Sequence, residues 1–353
     1  MHILLVNHEF SMSGVAMMLL DLGDILREQG FELSVAAINR QDGPLRAEYA
    51  KRGIAEVFPI DPGAVDLVIA NTLSAAPAVI ALAPLRRTIW WIHESEVGLS
   101  LLLQAPEWQE AFDNAHRIVF PSQRMRDHAY RSFHYKRRPE NVVVVPNGLR
   151  PTAPEPVEEK NLPWRIVCVG TVHAVKRQSD IVTALHRLGR RDIEFIAVGM
   201  DFSMSDEARA IVDAAPERYR LLGQRPNAET LGWIASADVV VQPSEGESHA
   251  LSLGEAALLA KPLVMSDLAV FTEQGWRHGH NCLMQPIGNA AMLATNIAYM
   301  LDHEDERRRL ARASYRMART YRHDVFRNRM LELIAGVMPA GGDARAGGGG
   351  ALS

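Results

Sequence analysis

Two glutamates, Glu247 and Glu255, lie eight positions apart at a predicted junction between a strand and a helix. The strand is predicted at 238–242, and an apolar helix runs from about residue 250 to Pro262, which cannot continue it. The free backbone N–H groups of the first helical turn, with the positive end of the helix dipole, form an anion site. The pair therefore predicts a site for a sugar joined to a phosphate.

The spacing argues against an acid–base pair. Eight residues of helix span about 12 Å and rotate the second side chain roughly 80° from the first. The two carboxyl groups of a glycosidase lie about 5–9 Å apart on either side of one bond. We therefore expect Glu247 and Glu255 to hold different parts of a long ligand. The alternative for two acids alone is structural: one caps a helix and the other is solvated on its surface.

Two further loops have residue types that suit an anion. Gly14 precedes the first predicted helix and lets backbone approach a ligand, although a glycine needed only for the turn would look the same. Gly170 follows a predicted strand, and Lys176 and Arg177 enter the next helix, where they could contact a pyrophosphate. The alternative for this pair is two basic residues on a solvated helix face.

A histidine, His93, follows the predicted strand at 88–92. At the carboxyl end of a strand it could hydrogen-bond a sugar hydroxyl or assist proton transfer. The alternatives are a buried histidine with satisfied nitrogens or an exposed one. The preceding Trp90 and Trp91 are predicted to pack and to position their neighbours.

A basic and aromatic stretch spans 123–140. Such a stretch can lie at an anionic membrane surface, and the alternative is an ordinary surface helix and loop. Its cations are Arg124, Arg126, Arg131, Lys136, Arg137 and Arg138.

No two aspartates are separated by a single residue, and no cluster has metal-ligand spacing. We therefore expect no metal ion. The charge of a diphosphate would then fall to Lys176, Arg177 and helix N-termini.

The composition describes a two-domain globular protein. The 353 residues are 47% hydrophobic and 23% charged, and the net charge of −4 gives no support for a general nucleic-acid binder. Cys168 and Cys282 both lie in apolar runs, which indicates a reducing cytosol. The first residues resemble a strand and not a signal peptide, and no apolar run reaches the roughly 18 residues that cross a bilayer. These observations predict a cytoplasmic protein.

Short apolar runs alternate with helical periodicity along the whole chain. Continuous apolar runs are typical of strands covered on both faces, and repeated βα alternation gives parallel sheets. The sequence therefore predicts two doubly wound α/β domains, with ligands at the carboxyl ends of their strands and in the cleft between them. The predicted strands are 3–6, 33–37, 67–70, 88–92, 118–120, 142–145, 165–169, 195–198, 220–222, 239–242, 263–265 and 282–284.

A polar, acidic and proline-rich stretch marks the domain boundary. We predict an N-terminal domain at 1–149, a hinge linker at 150–163 and a C-terminal domain at 164–320. A helix at 321–337 is predicted to pack back toward the first domain. The tail, 338–353, lacks apolar content and is predicted to be disordered.

These motifs together resemble those of the retaining group 1 glycosyltransferases, family four, which have the GT-B fold. The resemblance covers residues 1 to about 335 and is most specific at Glu247 and Glu255, which match the family's Glu-x7-Glu signature. It also rests on Pro243-Ser244, Lys261-Pro262, Asn71, His93-Glu94, Pro121-Ser122, 145–148, Val169-Gly170 and Lys176. It implies two facing Rossmann-like domains, the first on the acceptor side and the second binding the nucleotide sugar, with the active site in the cleft between them.

The resemblance implies a role for each matched residue. Glu247 would contact the hydroxyls of the donor sugar, Glu255 the ribose, and Lys176 the diphosphate. His93 would lie near the transferred sugar, and Gly14 beside the phosphate. Backbone groups near the sugar and diphosphate would come from Ser248, His249, Ala250, Leu251 and Ser252. Such enzymes need no metal or cofactor, and the leaving phosphate is thought to help deprotonate the incoming hydroxyl in a front-face substitution.

The sequence departs from the family's pattern at several positions. Thr171 stands where the family usually has arginine, and Arg177 is the neighbour that would compensate. After the first glutamate, the family usually has Gly-Phe-Gly. This sequence has Ser-His-Ala at 248–250 instead, which changes the sugar pocket. The first loop keeps one glycine of a pair, Gly14, and Glu273 lacks the two glycines expected before it.

The leading hypothesis is transfer of a hexose from a nucleotide diphosphate sugar to a hydroxyl acceptor. The acceptor would belong to a bacterial surface glycan or its lipid-linked precursor, at the inner face of the plasma membrane. Two alternatives stay open: a non-catalytic nucleotide-sugar-binding partner in a biosynthetic complex, and a sugar-nucleotide epimerase of the same architecture.

Overall fold

The computed structural model describes residues 1–39, 42–96, 98–150 and 153–338. The described residues form two parallel β-sheets with helices on both faces of each sheet. The predicted α/β class with two doubly wound domains is confirmed. Apart from Met338, the tail predicted to be disordered lies outside the described residues.

The first sheet has seven strands in the order β3-β2-β1-β4-β5-β6-β7, and all its pairs are parallel. Six of the strands match predicted runs to within one or two residues. The two-residue β3 was not predicted, because both of its residues are exposed and it has no apolar run. The strands are β1 (His2–Asn7), β2 (Glu32–Ala37), β3 (Ala55–Glu56), β4 (Leu67–Asn71), β5 (Arg87–Trp91), β6 (Arg117–Phe120) and β7 (Val142–Val144).

The second sheet has six strands in the order β10-β9-β8-β11-β12-β13, again all parallel. In both sheets the strand order reverses beside the first strand, between β1 and β4 and between β8 and β11. Loops diverge at such switch points and leave a crevice for a ligand. The strands are β8 (Trp164–Val169), β9 (Ile193–Val198), β10 (Tyr219–Leu221), β11 (Val239–Gln242), β12 (Leu263–Ser266) and β13 (Leu283–Gln285).

Fourteen α-helices lie in the described residues. The first domain contains α1 (Gly14–Glu28), α2 (Pro44–Lys51), α3 (Ala76–Leu82), α4 (Gly98–Gln104), α5 (Glu110–Asn114) and α6 (Arg131–His134). The others are α7 (Gln178–Leu188), α8 (Asp206–Ala214), α9 (Asn227–Ser236), α10 (Leu251–Leu258), α11 (Ala269–Glu273), α12 (Ala290–Asp302), α13 (Glu304–Ala318) and α14 (His323–Val337).

Helix α14 belongs to the core of the first domain, although it follows the second domain in sequence. Its buried residues Phe326, Met330, Ile334 and Val337 recur at helical spacing and join the cluster formed by β1, β4 and α1. The chain crosses between the domains beside Leu149, whose N–H donates to Tyr321 O at 2.8 Å. Two short backbone segments, 146–150 and 319–323, therefore connect the domains.

Residues 157–160 of the proline-rich stretch are docked on the second domain. Arg165 forms a fully buried ion pair with Glu194 at 2.7 Å and also donates to the carbonyls of Val157 and Glu159. Lys160 pairs with Asp238 at 2.5 Å. A buried guanidinium needs such partners, so residues 157–160 move with the second domain.

Candidate active site

Loops from both domains meet at the carboxyl ends of the two sheets. A Cβ atom on Gly14, at the start of α1, would lie 3.9 Å from Leu251 Cδ1, at the start of α10. His93, after β5, lies close enough to His249 for that ring to contribute to lowering its pKa. The structure therefore brings four of the sequence-predicted residues to one interdomain cleft.

Glu247 is held by three hydrogen-bond donors on one oxygen. Its Oε1 accepts from Lys176 Nζ at 2.7 Å, Ser244 Oγ at 2.7 Å and Gln242 Nε2 at 3.0 Å. Gln242 Nε2 also donates to Ser244 Oγ at 2.8 Å, so these two side chains support each other. The carboxylate is thus fixed in position before any ligand binds.

The second oxygen of Glu247 is open to a ligand. Oε2 accepts no hydrogen bond from any residue that the structure describes, and the side chain is 7% exposed. Oε2 is not fully enclosed by protein atoms, so hydroxyl groups of a sugar could reach it and donate hydrogen bonds to it. The arrangement suits a carboxylate that binds a hydroxyl.

The loop after β8 is built for close approach. Gly170 has φ +143°, which favours glycine, and nothing lies within 4 Å of where its Cβ would be. Gln178 Nε2 donates to the carbonyls of Gly170 and Thr171 at 3.3 and 2.9 Å and so holds the loop. The loop ends at Lys176, whose side chain is 29% exposed beside Glu247.

Arg177 is not free for a pyrophosphate in this arrangement. Its guanidinium donates to Asp180 at 2.7 Å and to Glu245 at 3.1 Å. These hydrogen bonds, led by the one to Asp180, raise the pKa of Arg177. Of the two predicted basic residues in this loop, Lys176 is the one that contacts a signature glutamate.

Helix α10 begins where the sequence predicted, next to Ala250, but ends earlier than predicted. Its N-cap, Ala250, has no side-chain hydrogen bond, so the first-turn N–H groups remain available to a ligand. The helix ends at Leu258 and does not continue to Lys261, because Ala260 turns left-handed with φ +52° and Lys261 N–H bonds to Ala256 O. Pro262 therefore follows the end of the helix without causing it.

Glu255 lies in the second turn of α10 and differs from Glu247 in having no partner. Its half-buried carboxyl group makes no hydrogen bond with the described residues. Burial raises the pKa of Glu255 to about 7 from an ordinary value of 4.5. A ligand that donates hydrogen bonds to the carboxylate would reverse this shift.

The first-domain wall is centred on His93, which is 3% exposed and has a buried Nε2 without a partner. Burial, with smaller contributions from His249 and His8, lowers the pKa of His93 to about 3, so the imidazole is neutral. Its ring lies 4.4 Å from Trp91, which stacks on Phe326 of α14 at 5.6 Å. Both tryptophans of β5 are fully buried, and Trp91 positions His93.

Neutral polar side chains lie at the ends of β1 and β4, next to the end of β5, which His93 follows. Asn71 Nδ2 donates to Asn7 Oδ1 at 3.1 Å, but Asn71 Oδ1 and Asn7 Nδ2 are buried without partners. Thr72 Oγ1 is also buried and unpartnered, and its backbone has φ +77°, a rare conformation for a residue other than glycine. Strained backbone and unpartnered polar atoms cluster at functional sites.

Glu94 supports this wall from behind. Its Oε2 accepts from the N–H groups of Leu73 at 2.7 Å and His93 at 3.2 Å. Burial raises the pKa of the Glu94 carboxyl group, against these two hydrogen bonds, which lower it. The residue therefore orients the turn that carries His93.

A carboxylate connects the two domains directly. Glu273, at the end of α11, accepts hydrogen bonds from the backbone N–H groups of Gln123 at 2.5 Å and Arg124 at 2.7 Å. These N–H groups begin the helical segment after β6, where a carboxylate is favourable. The contact exists only while the domains keep this relative orientation.

Most cations of the 123–140 stretch have partners within the protein. Arg124 pairs with Glu96 and Arg126 with Asp127, while Arg137 donates to the carbonyls of Phe112, Asp113 and Ala115. Arg138 lies 4.0 Å from Glu140. Arg131 and Lys136 are exposed and make no ion pair with a described residue, and Tyr135 between them is 59% exposed.

Several residues that shape the site were not among the sequence candidates. Gln242 is a polar residue that ends a buried strand, and His8 directly follows one, which was the available signal for both. Gln178 is the first residue of α7 and carried no such signal. Nothing in the spacing indicated the cross-domain contact of Glu273 or the aromatic stack behind His93.

Within the described residues, no group of three or more histidine, cysteine, aspartate or glutamate side chains is arranged to hold a metal ion. In the same part of the chain, no helix is both long and apolar enough to span a membrane.

Two family models match the chain. Residues 163–303 match the model for "Glycosyl transferases group 1", and residues 1–125 match the model for "Glycosyl-transferase family 4". The chain belongs to the group 1 glycosyltransferases and has the GT-B fold, which confirms the resemblance seen in its motifs. A search of curated proteins gave no match.

Several solved structures share this fold, and three of them illustrate the range of similarity. HepE of Anabaena, in complex with UDP-glucose, is 17% identical with a TM-score of 0.80, over 95% of this chain and 100% of HepE. Sucrose-phosphate synthase of Thermosynechococcus elongatus is 18% identical with a TM-score of 0.73, over 95% and 98% of the two chains. The lipopolysaccharide outer core galactosyltransferase WaaB is 14% identical with a TM-score of 0.68, over 96% and 100%.

Proposed function

We propose that the protein is a retaining glycosyltransferase that moves a hexose from a nucleoside diphosphate sugar to a hydroxyl acceptor. One observation carries the proposal: Glu247 is fixed by three donors on Oε1 and presents Oε2 without a partner beside the open start of α10. A carboxylate so arranged can hold sugar hydroxyls while backbone N–H groups hold the attached phosphate. The structure of HepE with UDP-glucose supports this type of donor.

Each group in the second-domain wall has a role in this proposal. Glu247 Oε2 accepts hydrogen bonds from the donor sugar, and Glu255 accepts them from the ribose. Lys176, already 2.7 Å from Glu247, bridges to the diphosphate, and the N–H groups at residues 248–252 contact its oxygens. We propose that these groups carry the diphosphate charge without a metal ion.

The reaction breaks the bond between the anomeric carbon and the diphosphate oxygen and forms a bond to the acceptor oxygen on the same face. The acceptor proton passes to the departing diphosphate oxygen, so no separate carboxylate base is required. His93 is neutral and can accept or donate one hydrogen bond near the transferred sugar. Front-face transfer of this kind retains the anomeric configuration.

For the acceptor, we propose a surface glycan or its lipid-linked precursor on the cytoplasmic side of the membrane. The similarity to WaaB, a lipopolysaccharide outer core galactosyltransferase, supports this class. Exposed Arg131, Tyr135 and Lys136 would contact anionic lipid. The test is flotation with anionic liposomes at low and high salt, with Arg131→Glu/Lys136→Glu as the variant. Absence of wild-type binding at low salt would remove the membrane contact.

A second candidate function is that of a non-catalytic partner, which binds a nucleotide sugar without transferring the sugar. It is favoured by the loop after β8, where Thr171 is uncharged and Arg177 is engaged by two carboxylates, which leaves Lys176 for the diphosphate. This candidate predicts donor binding by calorimetry with no product for any acceptor. An epimerase of the same architecture would instead give a product that keeps its nucleotide, which chromatography distinguishes.

The experiment that tests the main proposal has two stages. A panel of UDP-, GDP- and ADP-sugars is first screened by thermal stabilisation, since a ligand at about 100 times its Kd adds about 2.7 kcal/mol. The stabilising donor is then incubated with hydroxyl acceptors, and release of the nucleoside diphosphate is measured. Acceptor-dependent release, with a product of retained anomeric configuration by NMR, is the expected result. An inverted product would contradict the retaining mechanism.

A further inference from the structure

We propose that the imidazole of His249 recognises a hydroxyl group of the transferred sugar and so determines which neutral hexose the protein accepts. The inference rests on the proposed function, because it assigns a side-chain role within the same donor site. It goes beyond the backbone contacts expected of residues 248–252.

The ring nitrogens of His249 are the first observation. The residue is 9% exposed, and neither Nδ1 nor Nε2 has a hydrogen-bond partner among the described residues. Among the residues that the structure describes, His249 is the only one with two buried side-chain nitrogen or oxygen atoms that lack a partner. Buried polar atoms in folded proteins nearly always have a hydrogen-bond partner. Two buried nitrogens without one therefore indicate that a ligand supplies the partner.

The fold does not need those nitrogens. The loop is held by Gln274 Nε2, which donates to Ser248 O at 3.2 Å, and by Tyr321 OH, which donates to Gln274 O at 2.8 Å. The His249 ring packs edge-on against Tyr321 with 5.2 Å between centroids. A phenylalanine would fill this space equally well, so packing alone leaves the two nitrogens unexplained.

The position of the ring points to the sugar. His249 is two residues after Glu247, and the electrostatic influence of that carboxylate on the ring shows that the two are neighbours. Across the cleft lies His93, whose pKa the ring of His249 helps to lower. A donor held by Glu247 Oε2 between these two walls would lie next to the ring.

The charge of the ring selects the chemistry of its partner. Burial lowers the pKa of His249 to about 4, so the imidazole is neutral and offers one N–H donor and one nitrogen acceptor. A hydroxyl can donate to one imidazole and accept from another group, which suits this environment. The carboxylate of an acidic sugar would be repelled by Glu247 at short range and has no proton to donate to the ring, so the site fits neutral hexoses.

The test compares His249→Phe with His249→Gln by calorimetry on the full chain. The probes are UDP-glucose, UDP-galactose, GDP-mannose and ADP-glucose, each beside its own nucleoside diphosphate. The ratio of the two Kd values isolates the contribution of the sugar, because the nucleotide and diphosphate are common to both. Circular dichroism and thermal unfolding check that both variants fold.

In wild type we expect the preferred sugar to be favoured over its epimers by about 10-fold or more, the size of one lost hydrogen bond to a buried group. His249→Phe should bring that preference close to 1 while the nucleoside diphosphate Kd changes less than about 2-fold. His249→Gln, which keeps a donor and an acceptor, should retain part of the preference. An unchanged preference in His249→Phe would overturn the inference.

The same measurements separate this inference from the proposed function. If wild type binds a donor with the expected dependence on His249 but never releases nucleoside diphosphate to an acceptor, transfer fails and the assignment of His249 stands. If all nucleotide sugars of the panel show the same ratio of Kd to that of their own nucleoside diphosphate in wild type, the assignment of His249 is overturned.

Discussion

The two walls of the cleft differ in the charge of the polar groups named above, although each wall keeps polar atoms without partners. On the second-domain wall, Glu247 and Lys176 carry formal charges and are paired with each other. On the first-domain wall, His93, Asn71 and Thr72 are uncharged and keep buried atoms without partners. Both walls occupy the switch point of a parallel sheet, so the fold alone does not cause the difference.

This difference in charge indicates which substrate group each wall is suited to bind. A diphosphate brings charge, and the paired ions and helix start of the second wall can exchange partners with it at little cost in solvation. A neutral hydroxyl brings one donor and two acceptors, which matches single unpaired atoms on the first wall. We therefore propose that the charged wall is the donor side of the cleft and the neutral wall its acceptor side.

Removal of the fixed carboxylate should have the largest effect. Glu247→Ala removes hydrogen bonds to the donor sugar worth about 1.5–3 kcal/mol each, so transfer should fall about 100-fold or more. The readout is nucleoside diphosphate release at saturating acceptor. Glu229→Gln is the matched control, because Glu229 forms a partly exposed ion pair with Arg225 in the same domain. Activity of Glu247→Ala near that of the control would remove the role of Glu247.

Substitution of His93 on the first-domain wall should lower the turnover number and leave nucleotide binding unchanged. His93→Phe keeps the ring packing on Trp91 and removes the hydrogen bond that Nε2 would make. We expect kcat to fall about 10- to 100-fold, while the Kd of the nucleoside diphosphate stays the same. The measurements are steady-state kinetics and calorimetry. A weakened nucleotide Kd would show that the walls do not divide the substrates in this way.

The raised pKa of Glu255 predicts opposite pH dependences for stability and for binding. The folded protein holds a proton on Glu255 up to about pH 7, whereas the unfolded chain releases it near 4.5. The free energy of unfolding therefore falls as pH rises from 4.5 to 7. Above pH 7 the loss is complete and is on the order of 3 kcal/mol. Urea unfolding measures this difference. Glu255→Gln should have a higher free energy of unfolding than wild type at pH 8 and the same value below pH 4.5.

Nucleotide binding should show the reverse trend at Glu255. Ribose hydroxyls donate to the carboxylate, so binding lowers its pKa and releases a proton. Nucleoside diphosphate affinity of wild type should rise with pH up to about 7 and then level off, and it should be weaker and flat in Glu255→Gln. Calorimetry in buffers of different ionisation enthalpy counts the proton. Uptake of a proton on binding would contradict the assignment.

The interdomain contact of Glu273 should give the smallest effect, because it is exposed to solvent. Glu273→Ala loses two hydrogen bonds to the backbone of the first domain, so the cleft should open more often. We expect KM for the acceptor to rise about 2- to 5-fold with an unchanged nucleoside diphosphate Kd. Small-angle scattering should give a larger radius of gyration. Identical scattering and KM would show that the contact does not hold the domains together.

The sequence predicted the parts of the protein that local patterns encode. Buried strands such as β1 and β8 are continuous apolar runs, so their positions were predicted to within one or two residues. The loops that follow them contain Gly14, Gly170 and Lys176, and parallel topology brings such loops to one edge. The spacing of Glu247 and Glu255 also excluded an acid–base pair, in agreement with their separate surroundings in the structure.

What the sequence could not predict depends on contacts between distant residues. The engagement of Arg177 by Asp180 and Glu245 requires the loop after β11 to lie beside the loop after β8. The contact of Glu273 with Gln123 joins residues 150 positions apart in different domains. The orphaned nitrogens of His249 depend on everything packed around them, which no local pattern records.

Amide hydrogen exchange of the full chain, with and without saturating nucleoside diphosphate, tests the division of the cleft most directly. UDP, GDP and ADP are compared, and the one that stabilises the protein is used. The account predicts slower exchange at 170–177 and 247–255, in the loop after β8 and the start of α10, with little change at 71–76, which follows β4. Protection confined to the first-domain loops, or equal protection on both walls, would contradict it.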